Sequence, residues 1–423
     1  MPGTSTSQDT DDGRAYGRTV GTPNPELVEV EAGTPAGELL RRYWQPVATT
    51  AEATTRPRKV RILGEDLILF RDGQGRPGLL EPRCCHRGTT LYIGQVEDDG
   101  IRCPYHGWLF ASDGTCLDQP CEPDRGRNRA SYRQPWYPVV EYHSLLFAYL
   151  GPPEKQPLFP TYDIFDDLDD DEETVVVDHF AFGGPSVAPC NWFQTHENVM
   201  DPYHVFILHN AISGPQFDPR LEIWPTIDWQ RHPWGVTSTQ DRVLEDGTIL
   251  HRITETRFPN IRVVATPNLS VLGKTNNMSW AIPIDATTTR VVAMLRVKKG
   301  GETQGLPTYG DGKSWFELDD EGHQRYPGDY ETQVGQGPVT HHSTERLSST
   351  DRGVSMVRRQ FIEQVQAVAE GRDPLGVTLA SSTDASSASL RSETILAGNY
   401  IVTPTTDLSQ IPLADTLQDT SRH

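Results

Sequence analysis

Four residues constrain this chain more than any other feature. Cys84 and His86 sit in Arg83-Cys84-Cys85-His86-Arg87-Gly88, and Cys103 and His106 sit in Cys103-Pro104-Tyr105-His106-Gly107-Trp108. The pattern is C-x-H, sixteen intervening residues, then C-x-x-H. Each pair offers one thiol and one imidazole from a tight loop, and the nearby glycines let the backbone crowd whatever the loops enclose. The six cysteines stand at 84, 85, 103, 116, 121 and 190, five of them between 84 and 121. In a long chain whose thiols stay reduced, such clustering points to metal ligation and not to a disulfide framework. Mixed Cys/His tetrads also bind zinc, but zinc fingers space their ligands as C-x-x-C and H-x-x-x-H, which this sequence does not.

The asymmetry of the tetrad matches a different centre. In a Rieske [2Fe–2S] cluster two thiolates hold one iron and two imidazoles hold the other, and exchanging two anionic ligands for neutral ones raises the potential. Such a cluster takes single electrons from an ordinary flavin or ferredoxin donor. The segment CCHRGTTLYIGQVEDDGIRCPYHGWLFASDGTC resembles the Rieske domain of aromatic-ring-hydroxylating oxygenase large (alpha) subunits. By that resemblance Cys84 and Cys103 bind one iron, and His86 and His106 the other. Cys85 is next to a ligand without being one. Cys116, Cys121 and Cys190 have no motif partner and read as free thiols.

A second constellation lies in NWFQTHENVMDPYHVFILH. Two imidazoles and one carboxylate form the facial triad of non-haem Fe(II) oxygenases, which leaves positions open for O2 and substrate. His204 and His209 are five apart, so an ideal α-helix would set them about 140° from each other. Pro202 belongs in a first turn and breaks a helix already running, which puts Asp201 at a kink or an N-cap. A distorted helix there would turn both rings to one metal. With thirteen histidines in the chain, the pair alone would not decide this. The run also resembles the family's order of carboxylate, three residues, Asp, two residues, His, four residues, His. Glu197, Asp201, His204 and His209 fill it in register.

Composition cannot select the third ligand. The stretch PGDYETQVGQGPVTHHSTERLSSTDRGVSMVRRQ resembles the phthalate-dioxygenase-like branch, where an aspartate ahead of E-x-Q completes the triad. Asp329, followed by Glu331 and Gln333, matches that position; Asp351 and Glu363 are the alternatives. His341 and His342 read as a solvated surface pair. The resemblance gives Asp201 a bridging role between His204 and the Rieske His106 of a neighbouring subunit. Asn191 and Gln194 either line the site or pack near it, and Trp192 reads as packing. Arg262, Arg290 and Arg296 are candidates to bind a substrate carboxylate or are surface charges.

Apolar residues make up 36% of the 423, a globular composition, and no apolar run reaches the ~20 residues a membrane helix needs. A formal charge of −20 argues against nucleic acid or an anionic membrane as partner. No basic, apolar leader opens the chain, so a cytoplasmic location is expected. The expected organisation is a mobile polar arm over 1–25 and a short helical or turn segment from Glu38. A small, loop-rich all-β Rieske domain follows over 40–155, and PVVEYHSLLFAYLGPP supplies its closing strand. An exposed proline-rich, acidic linker over 156–175 then leads to a catalytic mononuclear iron domain over 176–423. In the last, 191–210 has helical composition, while NIRVVATPNLSVL, MSWAIPI and TTTRVVAMLRV alternate as antiparallel strands. A helix from Ser355 shows Val357, Phe361, Val365 and Val368 on one face, and LASSTDASSAS reads as a low-complexity loop.

The fold class is therefore α+β, with an antiparallel sheet flanked by helices in the second domain, of helix-grip type by resemblance. No dinucleotide fingerprint appears, so NAD(P)H chemistry belongs to a separate reductase or ferredoxin partner. The resemblance implies a head-to-tail homotrimer and a Rieske-type non-haem iron monooxygenase or dioxygenase. Such an enzyme uses O2 to hydroxylate, dihydroxylate, demethylate or cleave a small aromatic substrate, an aromatic acid or aryl ether. The rival readings are a Rieske electron carrier without catalytic iron and a zinc-stabilised binding protein.

Overall fold

In the computed structural model, residues 15–179, 184–214, 216–300, 308–309, 312–379 and 390–407 are described. Two short helices open the chain, Pro25–Val28 and Pro35–Leu40. Each has proline in its first turn behind a side-chain cap, from Asn24 and Thr34. Ordered structure thus starts one helix earlier than Glu38. Residues 1–14 of the expected arm lie outside the described residues. Its end is tied down: the Thr22 amide donates to Ser343 Oγ at 2.8 Å and the Asn24 amide to His342 Nδ1 at 3.0 Å. His342 is therefore half-buried and bonded, not solvated as expected, while His341 is exposed.

Three small antiparallel sheets follow. Trp44–Thr49 pairs with Leu145–Tyr149, which pairs with Val139–Tyr142; Arg58–Ile62, Glu65–Arg71 and Pro77–Leu80 form the second. The third runs Gln95–Glu97, Gly100–Arg102, Leu109–Phe110, Cys116–Asp118. Ile68, Phe70, Leu80, Ile101, Trp108 and Phe110 form one buried cluster with Cys84 and Cys103, so the loops that carry these two cysteines rest on their own small core.

The second half is an antiparallel sheet of ten strands. Its main path is Glu172–Val177, Thr288–Lys298, Asn277–Asp285, Ile261–Val264, Ile249–Arg257, Gly235–Val243, Thr226–His232. The helix Arg352–Ala369 lies on it and buries Val354, Val357, Phe361 and Val365; Val368 is half-buried against the same core. Gly353 permits the close approach, since a Cβ there would stand 2.2 Å from Trp229 Nε1 and 2.3 Å from the Met200 carbonyl oxygen. The low-complexity loop expected at 379–389 lies, from 380 on, outside the described residues.

The stretch 156–175 is not an exposed linker. Phe159–Tyr162 is a strand paired in parallel with Leu390–Glu393, and Glu172–Val177 is an edge of the large sheet. Phe159, Tyr162, Ile164 and Phe165 are buried in a core that takes Trp44 and Phe147 from the first half and Trp280 and Phe361 from the second. Phe147 meets Trp280 edge to face at 5.6 Å. Proline and acid in the sequence mark the surface of this segment, but its four apolar side chains decide where it goes, at roughly 1.5–3 kcal/mol for each one buried.

Candidate metal centres

The two loops that carry the first tetrad have the same build. The Gly88 amide donates to the Cys84 carbonyl at 2.8 Å, and the Gly107 amide to the Cys103 carbonyl at 2.9 Å. Both glycines have φ near +75° (+76° and +75°), where a side chain would be strained. Cys84 and Cys103 are buried, while His86 and His106 lie at the rim with ring centroids 4.6 Å apart. His86 stacks flat on Trp108 at 4.5 Å. Gln134 braces the first loop, accepting from the Cys85 amide at 2.7 Å and donating to the Glu81 and Arg83 carbonyls. Burial, with the Cys103 thiol close by, raises Cys84 to about 12, so its thiolate form calls for a cation beside it. Burial and the neighbouring His106 lower His86, which keeps it neutral and able to ligate. Among the described residues no three of these four ligand atoms lie within 4.8 Å of one another, as a single tetrahedral zinc would need. The donors instead sort by type, sulfur inward and imidazole outward.

The second centre depends on how the chain turns after residue 197. The segment 191–210 is not one helix. Trp192–Glu197 is α-helical, Asn198–Met200 is a 3₁₀ turn, Asp201-Pro202 interrupts, and Tyr203–Phe206 runs into a π-helix over Ile207–Ile212. Closing hydrogen bonds from i to i+5 brings residues five apart toward one side, which an α-helix forbids. The expected distortion is thus a wide turn as well as a proline break. His204 Nε2 and His209 Nε2 both stand 3.5 Å from Asp329 Oδ1, and the three ligand atoms all lie within 4.8 Å of one another.

Neighbours set which nitrogen faces the centre. His209 Nδ1 donates to Gln216 Oε1 at 2.7 Å, and His204 Nδ1 donates to the Asp201 carbonyl oxygen. Both Nε2 lone pairs therefore face Asp329. His209 Nε2 is buried with no hydrogen-bond partner, a polar atom that a cation would satisfy. Burial opposes charge on both His209 and Asp329, but each outweighs it for the other. His209 is raised, and Asp329 is held well below the usual carboxylate range, with His204 and Arg262 contributing. The donor set suits a 2-His-1-carboxylate iron.

Residues 43–139 match the family described as Rieske [2Fe-2S] domain. Over 373 residues the chain is 49% identical to the phenoxybenzoate dioxygenase subunit alpha of Ectopseudomonas oleovorans, covering 86% of this chain and 90% of that one. The chain belongs to the Rieske non-haem iron oxygenase large subunits. Another relative is the tert-butanol monooxygenase / tert-amyl alcohol desaturase oxygenase subunit of Aquincola tertiaricarbonis, 34% identical over 398 residues, with 87% and 81% covered. In fold the chain is similar to NdmB of Pseudomonas putida CBB5, with a TM-score of 0.59 at 20% identity over 85% of this chain and 100% of that one. As a Rieske oxygenase of the phthalate-dioxygenase-like branch, it is a monooxygenase or dioxygenase that uses a [2Fe–2S] cluster and a mononuclear iron.

The other candidate residues of this oxygenase fall partly as expected and partly not. Asp351 caps the turn at Ser348 and Glu363 pairs with Arg231 near the surface, so neither approaches the trio. Asp201 holds His204 through its main-chain oxygen, while its carboxylate Oδ2 lies 3.9 Å from Nδ1. Glu197 is paired with Arg358 at 2.6 Å. Asn191 caps its helix and bonds the Val28 and Ala286 carbonyls, and Trp192 is packing, 0% exposed. Arg290 is committed to Asp178 and Glu52, and Arg296 to Glu172, which removes both as carboxylate binders. Asn198 and Gln216, which sequence reasoning did not single out, touch Asp329 (3.1 Å) and His209; no motif marks them.

Gln194 does more than line the site. It donates to the Gln333 and Gly337 carbonyls at 2.9 and 3.2 Å and accepts from the Thr340 amide at 3.1 Å. These bonds tie the helix Trp192–Glu197 to the end of Asp329–Gly335. Gln194→Ala is expected to cost about 2–3 kcal/mol, because it strands buried polar groups. Denaturant unfolding measures that loss, and iron analysis should show reduced occupancy of the mononuclear site with the cluster intact.

Proposed function

We propose that this chain is the terminal oxygenase of a multicomponent system. Cys84 and Cys103 would hold one iron of the cluster, His86 and His106 the other, and His204, His209 and Asp329 the mononuclear Fe(II). A separate NAD(P)H-dependent reductase or ferredoxin supplies electrons. The observation that carries the reading is the convergence of two Nε2 atoms, that of buried His209 and that of half-buried His204, and one buried carboxylate oxygen, on a chain that also matches the Rieske domain. An electron carrier without catalytic iron would have no use for that trio.

The mononuclear iron, when bound, supplies the site at which dioxygen is reduced and oxygen enters the substrate. The chain's own part is to hold the ligands. Gln216 and the Asp201 carbonyl fix the two ring tautomers, and Asn198 orients Asp329. The relative named for phenoxybenzoate suggests a small aromatic substrate, an aromatic acid or aryl ether. A head-to-tail homotrimer would let the Asp201 carboxylate, whose Oδ2 stands 3.9 Å from His204 Nδ1, meet His106 of the partner subunit. A cytoplasmic location suits six cysteines that form no disulfide with one another; no helix among the described residues is long and apolar enough to cross a membrane.

Purified protein should be brown, show a [2Fe–2S] signal on reduction and contain about three irons per chain. With a surrogate reductase it should consume O2 when offered members of a panel of aromatic acids, diaryl ethers and methoxyarenes. Iron restricted to the cluster, or no O2 uptake with any aromatic, would return the reading to an electron carrier.

A further inference from the structure

One face of the large sheet carries positive charge that neither metal centre explains. Strand register puts Thr256 opposite Arg262, and Arg252 opposite both Gln240 and Asn399. Side chains alternate along a strand, so Arg242, Arg252 and Arg262 all project from this one face. It is the face on which the metal-bearing segment rests: Trp229, opposite Ser238, donates from Nε1 to the Met200 carbonyl at 3.1 Å.

All three arginines are buried, at 0%, 3% and 7% exposure. A buried guanidinium is costly unless an anion or a full set of acceptors answers it. Arg242 and Arg252 have neutral acceptors only. Arg242 donates to the Ile223 carbonyl and Gln240 Oε1, and Arg252 to Asn399 Oδ1 and the Ala265 carbonyl. Arg262 has less. Its Nε is buried without a partner, and among the described residues no hydrogen bond or ion pair engages its guanidinium. Two other polar atoms on this side are also orphaned: Thr254 Oγ1, on the same sheet face, and Nδ1 of His196, which feels the charge of Arg262. Asp329 interacts with Arg262 electrostatically but is directed to His204 and His209. In a chain of net charge −20, three enclosed arginines without a committed carboxylate form a local positive potential on this face of the sheet, and Arg262 among them lies within electrostatic reach of Asp329.

We infer that Arg262 anchors a carboxylate of the substrate, so that the enzyme takes aromatic acids in their ionised form, with Arg252 and Arg242 reinforcing the positive potential behind it. This deepens the oxygenase reading and rests on it. A planar guanidinium pairs with a carboxylate through two parallel hydrogen bonds, which fixes the orientation of an attached ring as well as its affinity. Anchoring the acid at Arg262 would place the rest of the aromatic skeleton toward His204, His209 and Asp329, so the anchor would set which carbon is presented.

The test is calorimetric titration of the reduced holo-oxygenase under nitrogen, with phenoxybenzoate and its methyl ester as probes. Wild-type protein is expected to bind the acid about 100-fold more tightly than the ester. Arg262→Gln should abolish that preference by weakening the acid and not the ester, and Arg262→Lys should restore part of it. Equal affinity of wild-type protein for acid and ester, or undiminished acid binding by Arg262→Gln, would overturn the proposal. Should the glutamine variant lose its fold, the wild-type acid-to-ester ratio and the lysine variant still decide. Iron content and O2 uptake report on the oxygenase reading separately, because the binding measurement involves no turnover.

Discussion

Replacing Asp329 with alanine is expected to lower the iron content from about three to about two per chain and O2-dependent turnover by at least about 1,000-fold, with the [2Fe–2S] spectrum unchanged. Substitutions that touch only a ligand's supporting hydrogen bonds already cost 10- to 100-fold in many metal sites, and this one removes a proposed ligand. Asp329 also supplies the negative charge that His209 and Arg262 feel, so its loss leaves two buried cationic or polar groups unanswered. Asp329→Asn separates the two effects. The amide conserves shape and can still face Asn198, but it lacks the charge a ferrous ion requires, so turnover should fall nearly as far as in the alanine variant. Iron analysis beside the reduced-cluster signal checks both. Turnover within tenfold of wild type would mean that another carboxylate completes the site.

Cys103→Ser should bleach the protein and reduce coupled turnover to background, again by at least about 1,000-fold, while the mononuclear iron stays. Oxygen is a poor substitute for a soft thiolate in an iron–sulfur cluster. Cys103 is 2% exposed and belongs to the small core under both loops, so losing the cluster also loosens the first half of the chain. Cys190→Ser is the control. That thiol is buried in a separate cluster with Ala188 and Val291, and its replacement should leave colour and turnover intact. A brown, active Cys103→Ser protein would remove the electron store from the scheme.

Much of the architecture could be read from the residues. The strands at Asn277–Asp285 and Thr288–Lys298 alternate plainly, and Val357, Phe361 and Val365 mark the buried face of the long helix. The stretch 156–175 misled because its prolines and acids are conspicuous, whereas the four buried apolar side chains that dock it are scattered singly. The region around His204 was legible as broken at Pro202. That the break runs into a π-helix was not, because a wide turn is stabilised by its surroundings and has no composition of its own. Arg290, Arg296 and Arg262 looked alike as strand-borne arginines; two are spent on acids and one is buried without an acid.

By itself the sequence determined the kinds of donor atom, their order, and the tight loops that present the Rieske tetrad, since those ligands lie within one short stretch whose spacing and glycines are local facts. The resemblance already pointed to Asp329 as the partner of His204 and His209, whereas only the tertiary structure decided that Gln216 and the Asp201 carbonyl select the facing nitrogens, and that three arginines share one interior face. Those relations come from strand register and from packing between distant segments. They arise only when the chain buries its apolar side chains together, and no local pattern of residues records them.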